Sequence, residues 1–448
     1  MSLNMSESSS KIPFVLPGSL QTNRRLSQWL AFHADGRVTV RSGKVDLGQG
    51  ISTVLAQIAA EELDVAVARI RMERASTLQG PNEGMTAGSM SVQDSGSALR
   101  QACAEARAIY LDLAAQQRGL SADQRAELRV VDGEFVSSKE QTIGSYWALA
   151  DAALLDIEAS GIAKPKSVAN LTLTGQAVPR LDMPGKVLGL PDFIHDMLLP
   201  GQLYGRVAHP PSPGAVLLEV ALDAINALPG VVTTVRDGSF IGVIAETDYA
   251  AVQALKKLAA AARWDEPATL PDMHAVPEFL RAQPVESKLY GEKKSDTPGP
   301  SLTSSETSRT AAGAQFFKAS YARPFLAHAS IGPSCALARC EANGSGEITS
   351  VEVWTHSQGI YNLRPDLALV LSLPAAQIAI QHVPGAGCYG HNGADDAACD
   401  AVLLARAVPG RPVHLQWTRE DELTCAPFGA AMAVDLQAVV DADGRISD

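Results

Sequence analysis

The stretch Gly43-Lys44-Val45-Asp46-Leu47-Gly48-Gln49-Gly50-Ile51-Ser52-Thr53 joins an extended segment, residues 37–41, to a segment with helical periodicity. The apolar residues that mark one helical face are Ile51, Val54, Leu55 and Ile58. Two glycines around Gln49 allow the main chain to approach a ligand closely, and the start of a helix favours an anion. The same pattern is typical of an ordinary strand-to-helix turn with a surface glutamine. The stretch therefore predicts an α/β segment and a candidate anion-binding turn.

Length and composition narrow the class of protein. A chain of 448 residues predicts roughly two to three domains, and 46% hydrophobic with 19% charged residues indicates globular structure. The net charge of −12 disfavours nucleic acid as a partner. Six cysteines without a Cys-x-x-Cys pair argue against an iron–sulfur cluster in this chain and favour a reduced, cytoplasmic protein. No apolar run has the length of a membrane span.

The order of strand-like and helix-like segments predicts a multi-domain fold of the α+β / α/β class. Residues 25–165 alternate between strands and helices, and residues 180–275 form a compact α+β unit. Residues 276–313 are polar and are interpreted as a linker, which is followed by strands and a βαβ-like unit over residues 314–448.

Two further turns of small residues each open a helix. One spans residues 80–89, and the other, Gly385-Ala386-Gly387-Cys388-Tyr389-Gly390, has the pattern G-x-G-x-x-G of dinucleotide-binding folds. The first acidic residues after the next strand, Glu420 and Asp421, lie about 30 positions beyond Gly390, where about 20 is usual, so a nicotinamide dehydrogenase is the weaker interpretation. Because the three turns come from distant parts of the chain, we expect one large anionic ligand to lie between them.

Several of these segments resemble the molybdopterin-binding subunit of the xanthine dehydrogenase/aldehyde oxidase family. They are residues 45–50, 87–91, 323–333 and 385–390, and residues 185–215 resemble the α/β hammerhead domain of that family. The resemblance implies molybdopterin-binding domains that flank a hammerhead domain. The Gly-Gln-Gly segment precedes the hammerhead, which is the permuted order of the isoquinoline 1-oxidoreductase beta type, and residues 387–393 are most similar to nicotinate dehydrogenase large subunits.

The resemblance also implies roles for individual residues. Gln49 would donate a hydrogen bond to the molybdenum oxo group, and His391 and Asn392 would lie on the substrate side. No residue would ligate the metal directly. The implied cofactor-binding residues are Gly48, Gln49, Gly50, Ala87, Gly88, Ser89, Ser91, Gly387, Cys388, Tyr389 and Gly390.

The activity implied by the resemblance is that of a molybdenum hydroxylase. Such an enzyme inserts oxygen from water at a carbon of an aldehyde or of an N-heteroaromatic compound such as nicotinate or isoquinoline. The implied cofactor is molybdenum with molybdopterin, as the mononucleotide or the cytosine dinucleotide. The implied partners are a small subunit with [2Fe–2S] clusters and a cytochrome c as the final electron acceptor.

The sequence departs from the family pattern at two places. The family's general-base glutamate belongs to a Gly-x-Gly-Glu motif, and the literal match at residues 344–347 lies in a predicted surface hairpin. No catalytic residue is therefore identified, and we interpret the chain as truncated, interrupted or completed by another polypeptide of the same subunit. Asn392-Gly393 stand where xanthine-type enzymes carry Lys-Glu, which disfavours purine substrates. The alternative function is a non-catalytic fragment or scaffold that lacks the glutamate.

Overall fold

The computed structural model describes residues 15–286, 315–391 and 396–446. The contacts divide the chain into two units. The first contains Met1–His209, Leu217–Arg263 and Ala329–Cys425, and the second contains Pro210–Val216, Trp264–His328 and Ala426–Asp448. Within the described ranges, no helix combines the length and the apolar composition that crossing a membrane requires.

The strands are numbered in chain order. They are β1 (Leu30–Phe32), β2 (Val38–Val40), β3 (Ile70–Met72), β4 (Arg129–Val131), β5 (Glu134–Val136), β6 (Thr142–Ser145), β7 (Leu203–Val207), β8 (Val216–Glu219), β9 (Val231–Asp237), β10 (Phe240–Ala245), β11 (Arg263–Asp265), β12 (Gln315–Arg323), β13 (Cys335–Ala342), β14 (Ile348–Thr355), β15 (Ile378–His382), β16 (Val413–Gln416) and β17 (Met432–Val440).

The α-helices are α1 (Ile51–Leu63), α2 (Ser97–Gln117), α3 (Ala122–Ala126), α4 (Met183–Val187), α5 (Leu222–Asn226), α6 (Asp248–Ala261), α7 (Val276–Ala282), α8 (Ile360–Leu371), α9 (Asp396–Ala405) and α10 (Arg419–Thr424). A π-helical turn, Ser91–Gly96, leads into α2. Short 3₁₀ helices cover Gly18–Gln21, Leu26–Gln28, Val67–Arg69, Ala152–Leu155, Val168–Asn170, Ile194–Asp196 and Ala375–Gln377.

In the first unit, α1 and α2 pack together beside the three-stranded sheet β1-β2-β3. Helix α1 begins at Ile51, as its apolar periodicity predicted, and buries Ile51 and Leu55. The centre of this core is aromatic, since Trp29, Tyr110 and Tyr146 are fully buried. The ring centroids of Tyr110 and Tyr146 lie 5.3 Å apart in an edge-on arrangement, which is favourable for aromatic pairs.

A seven-stranded mixed sheet of the first unit has the strand order β15-β14-β13-β16-β7-β10-β9. Strands β7, β9 and β10 come from the segment that was predicted as a separate α+β unit, residues 180–275. The other four strands come from residues 314–448. The α+β / α/β class is confirmed, but two of the predicted domains contribute to one sheet. Their boundaries remain a prediction.

The predicted linker differs from the structure at its start. Residues 276–282 form α7, with Pro277 in the first turn, where the fixed φ of proline favours a helix. The linker residues from 287 to 313 lie outside the described residues.

In the second unit, β12 and β17 form an antiparallel ribbon of nine residues a strand. The predicted surface hairpin at residues 344–347 does connect β13 to β14 in the first unit, with its turn at residues 343–346, and Glu347 is exposed there.

Candidate functional site

The Gly-Gln-Gly turn is filled by a carboxylate of its own segment. Gly48 and Gly50 have φ angles of +101° and +80°, which favour glycine. Asp46 Oδ1 accepts hydrogen bonds from the main-chain N–H groups of Gly48 (3.2 Å) and Gly50 (3.4 Å), and Oδ2 accepts one from that of Ser52 (3.4 Å). The N–H groups that the sequence suggested for an anionic ligand therefore bind Asp46 in this conformation.

The side chain of Gln49 is exposed and folds back onto the same turn. Its Nε2 donates to the carbonyl oxygen of Val45 at 2.9 Å, and its Oε1 accepts from the N–H of Leu47 at 2.6 Å. A contact between Gln49 and a cofactor would require the amide to leave these two partners.

A buried carboxylate, Glu83, ties the second turn to the segment before the Gly-Gln-Gly turn. Its oxygens accept hydrogen bonds from the hydroxyls of Ser19 (2.5 Å), Ser42 (2.8 Å) and Ser95 (2.9 Å), and from the N–H of Gly43 (2.7 Å). These donors compensate for the loss of water around a buried charge. The sequence interpretation missed Glu83, because nothing in the local pattern indicates that it is buried.

Three more hydrogen bonds join the same segments. The buried Lys44 ammonium donates to the carbonyl oxygens of Glu83 (2.7 Å) and Met85 (3.1 Å). Thr86 Oγ1 accepts a hydrogen bond from the N–H of Val45 at 2.9 Å. The first and second turns are therefore held close together.

The four residues that were predicted to hold the pterin follow Thr86. Ala87, Gly88 and Ser89 are exposed, and Gly88 and Ser89 have positive φ angles of +65° and +60°. Ser91 is the first residue of the π-helical turn. Small exposed residues leave the main chain of this turn accessible to a ligand.

A buried glutamine that the sequence interpretation missed, Gln358, connects the second turn to the third. The main-chain N–H of Thr86 donates to the carbonyl oxygen of Gln358 at 2.7 Å, and Gln358 Nε2 donates to the carbonyl oxygen of Thr86 at 2.9 Å. The thiol of Cys388 donates to Gln358 Oε1 at 3.3 Å. The segments that carry the three turns are thus brought together, with Gln358 between the second and the third.

The third turn contains three residues in the left-handed region of backbone conformation. Positive φ angles occur at Gly387 (+107°), Tyr389 (+57°) and Gly390 (+100°). The side chain of Tyr389 is 58% exposed, whereas Cys388 is buried. The main chain on the Tyr389 side of the turn is therefore open.

His391 is buried and has partners at both ring nitrogens. Nδ1 lies 2.8 Å from the carbonyl oxygen of Cys388, and Nε2 lies 3.3 Å from Oε1 of the buried Glu422. Burial raises the pKa of Glu422, but hydrogen bonds from His391 and from the N–H of Ser334 lower it below its ordinary value. Asn392, the other predicted substrate-side residue, lies outside the described residues.

Neutral histidines pack beside the third turn. Burial lowers the pKa of His356 and of His382 to about 3 each, so both are uncharged at neutral pH. A Cβ atom at Gly385 would lie 2.4 Å from His356 Nδ1, which explains why glycine stands at that position. His356 Nε2 accepts a hydrogen bond from the N–H of Cys335 at 3.3 Å.

A cavity of about 320 Å³ is bordered by residues 42 and 44–46 and by Ser52, on either side of the Gly-Gln-Gly turn, and by the end of β15. This volume is within the range of small-molecule sites. His382 is 3% exposed, and its Nε2 has no hydrogen-bond partner among the described residues. A water molecule or a polar group of a ligand would form a hydrogen bond with this atom. The charged or polar residues that line the cavity include Ser42, Lys44, Asp46, Arg74, Lys186 and His382.

Three potential metal ligands approach one another elsewhere in the first unit. Ligand atoms of His209, Asp421 and Cys425 lie within 4.8 Å of each other. His209 already contacts carboxylates with both nitrogens, Nδ1 with Asp421 and Nε2 with Asp400, each at 3.0 Å. Burial alone lowers the pKa of His209, but these two hydrogen bonds raise it to about 10. In this arrangement the His209 ring therefore holds a proton at neutral pH.

Comparisons with known proteins identify the family of the chain. The molybdopterin cofactor-binding domain family matches residues 8–179 and, in a second model, residues 300–448. A nicotinate dehydrogenase subunit of Pseudomonas putida is 37% identical over 434 residues, which cover 95% of this chain and 34% of that protein. The beta subunit of isoquinoline 1-oxidoreductase from Brevundimonas diminuta is 26% identical over 93% of this chain and 57% of that protein.

The two domain matches place the chain among molybdopterin cofactor-binding proteins. The chain belongs to the large-subunit family of the molybdenum hydroxylases, as the sequence motifs predicted. It spans about a third of the nicotinate dehydrogenase polypeptide and somewhat more than half of the isoquinoline 1-oxidoreductase polypeptide. Among solved structures, the aldehyde oxidoreductase of Desulfovibrio gigas aligns with a TM-score of 0.49 and 17% identity, over 66% of this chain and 36% of that chain.

Proposed function

We propose that this chain is the cofactor-binding part of a molybdenum hydroxylase that oxidises a ring carbon of an N-heteroaromatic compound such as nicotinate or isoquinoline, or an aldehyde carbon. The observation that carries the proposal is the meeting of the three turns, with Gln358 bonded to both Thr86 and Cys388. The names of the two relatives, nicotinate dehydrogenase and isoquinoline 1-oxidoreductase, support the N-heteroaromatic class.

The residues present fit molybdopterin. The exposed main chain at Ala87, Gly88 and Ser89 would hold the pterin and its phosphate, since small residues admit close approach. The unpartnered Nε2 of His382 would give or accept a hydrogen bond in the cavity that this histidine lines. When bound, the cofactor supplies the molybdenum at which the substrate is oxidised.

The other residues of the proposed cofactor site are the turns themselves, Gly48-Gln49-Gly50, Ser91 and Gly387-Cys388-Tyr389-Gly390. The His391 ring is fixed by its contacts with Cys388 and Glu422. In this position the ring would help to orient the third turn. A direct contact of His391 with substrate would require its release from Glu422.

The remaining parts of the proposal concern the whole enzyme. Electrons would leave through [2Fe–2S] clusters on a small partner subunit to a cytochrome c in the cytoplasmic assembly. The pterin would be the mononucleotide or the cytosine dinucleotide form. A scaffold without catalysis is the alternative, and it would keep the cofactor site without turnover.

Metal analysis and pterin fluorescence of the purified chain test this function, alone and after co-expression with the iron–sulfur subunit. Molybdenum and pterin near one per chain would support the proposal. Reduction of the bound centre by nicotinate, but not by xanthine, would support the substrate class. Absence of molybdenum and pterin from both preparations would overturn the proposal for this polypeptide. Cofactor without reduction by any N-heteroaromatic or aldehyde would favour the scaffold.

A further inference from the structure

An arginine outside the three turns holds the Gly-Gln-Gly loop. Arg180 donates a hydrogen bond from its guanidinium NH1 group to the carbonyl oxygen of Gly48 at 2.8 Å. Its Nε and NH2 donate to the two carboxylate oxygens of Asp182 at 2.9 and 2.6 Å. A bidentate pair of this kind fixes the plane of the guanidinium as well as its position. The carbonyl of the residue before Gln49 is therefore held by a pre-oriented donor.

The same arginine covers the residue after Gln49. A Cβ atom at Gly50 would lie between 3.4 and 3.6 Å from Nε, Cζ and Cδ of Arg180. The main-chain N–H of the next residue, Leu181, donates to Thr53 Oγ1 at 3.0 Å in the first turn of α1. The Arg180 segment thus contacts the loop before Gln49, after Gln49 and at the start of the helix.

A chain of ion pairs anchors Arg180 to a strand. Asp182 Oδ2 lies 2.7 Å from Lys186 Nζ, and Lys186 Nζ lies 3.7 Å from Asp192 Oδ2. Asp192 Oδ1 in turn lies 2.7 Å from a guanidinium nitrogen of Arg74, two residues beyond β3. Arg180 and then Lys186 hold the pKa of Asp182 well below its usual range. Asp182 is therefore charged throughout the neutral range, and the pair persists there.

We propose that Arg180 is a positioning residue for the Gly-Gln-Gly loop and thereby for bound molybdopterin. This inference rests on the proposed function. Gln49 stands between two glycines with positive φ angles, and such a segment has many accessible conformations when nothing restrains it. The Arg180 contacts restrict the main chain of this segment before the cofactor arrives, while the Gln49 amide can still leave Val45 and Leu47 by rotation of its side chain. A lysine would keep the positive charge but could not bind Gly48 and Asp182 with separate, fixed donors.

The test compares Arg180→Lys and Arg180→Ala with the wild type by two measurements. Amide hydrogen exchange of residues 48–52 is followed in the cofactor-free chain, and pterin retained per chain is measured by fluorescence after gel filtration. We expect exchange at residues 48–52 to be at least about tenfold faster in both variants, as the loss of a charge-assisted hydrogen bond implies. Pterin retention should fall, and added guanidinium ion should restore part of it in Arg180→Ala.

Arg263→Lys is the matched control, because Arg263 Nε binds Glu219 at 2.9 Å in an exposed pair. It should change neither measurement. Unaltered exchange and retention in Arg180→Lys would overturn the inference. So would a loss that appears equally throughout the chain, with a lowered Tm and no rescue by guanidinium ion. If the wild type retains no pterin, the proposed function fails, while the exchange at residues 48–52 still decides whether Arg180 restrains the loop.

Discussion

Gln358 and Thr86 bind each other through two hydrogen bonds, one from the N–H of Thr86 to the carbonyl oxygen of Gln358 and one from Gln358 Nε2 to the carbonyl oxygen of Thr86. The distances are 2.7 and 2.9 Å. The remaining amide oxygen of Gln358 accepts from the Cys388 thiol. One buried side chain therefore determines how the second and third turns face each other, although 272 positions separate it from Thr86.

Gln358→Ala should remove the side-chain hydrogen bonds to Thr86 and Cys388. The carbonyl oxygen of Thr86 would lose its donor in a buried place, which costs about 1–3 kcal/mol of the free energy of unfolding. We expect lower stability in urea unfolding and weaker pterin retention. Gln437→Ala, at an exposed position of β17, is the control and should leave both unchanged. Equal behaviour of the two variants would contradict the bridging role of Gln358.

Glu83→Gln tests the buried carboxylate. The replacement keeps the shape but removes the charge, and only one of its two terminal atoms can accept the hydrogen bonds that Ser19, Ser42 and Gly43 donate to the carboxylate. We expect the free energy of unfolding to fall by about 2 kcal/mol, as hydrogen bonds to a charged group are lost. Glu127→Gln, exposed at the end of α3, should change it by less than about 0.5 kcal/mol. Urea unfolding of both variants measures the two changes in the free energy of unfolding.

The sequence predicts those structural features that depend on a few neighbouring residues. Helix α1 begins at Ile51 and the β13–β14 turn lies at residues 343–346, because apolar spacing and turn residues act over a few positions. Gln358 and Glu83 carry no such pattern, since their burial depends on chain segments far away. Asp46 is a different case, because its contacts are local, but the sequence does not tell whether the N–H groups of the turn bind this carboxylate or a ligand.

Domain organisation is hard to read from local composition for a related reason. Strand β7 pairs in parallel with β16, more than 200 residues later, so a sheet joins segments that differ in local composition. The change in composition near residue 276 therefore does not mark the end of a sheet, because strands before and after it belong to the same sheet. The small-residue patterns indicated the three turns, but neither they nor the family resemblance indicated Arg180, because that contact lies outside the motifs.

Three buried histidines make the chain sensitive to acid. Burial lowers the pKa of His356 and His382 to about 3 and that of His414 to about 4, while an unfolded histidine titrates near its ordinary value. Below about pH 6.5 the unfolded chain binds protons that the folded chain does not, so stability falls as the pH falls. Each histidine contributes about 1.4 kcal/mol per pH unit.

Urea unfolding between pH 7.5 and pH 5 measures this loss. His414→Gln should reduce the slope of stability against pH by about 1.4 kcal/mol per unit, whatever it does to stability at pH 7.5. The exposed His274 offers the control His274→Gln, which should keep the wild-type slope. A slope that is the same in wild type and His414→Gln would mean that His414 is not held neutral in the fold.

The opposite dependence is expected at alkaline pH from His209. Hydrogen bonds to Asp400 and Asp421 raise its pKa to about 10, although burial alone lowers it. Below about pH 6.5 both folded and unfolded chains carry this proton, and the full contribution of the charged group is present. As the pH rises from there toward 10, only the folded chain keeps the proton, so stability falls by about 1.4 kcal/mol per unit.

His209→Gln should remove that alkaline slope, because glutamine can still donate to one of the two aspartates but does not titrate. It should also lower stability at pH 6, since Asp400 and Asp421 would face each other without a cation between them. Urea unfolding at pH 7, 8 and 9 gives the slope. Tryptophan fluorescence reports the same site, because Trp417 Nε1 donates to Asp400 Oδ2 at 2.9 Å. A wild-type stability that stays level over this range would show that His209 is neutral in the fold.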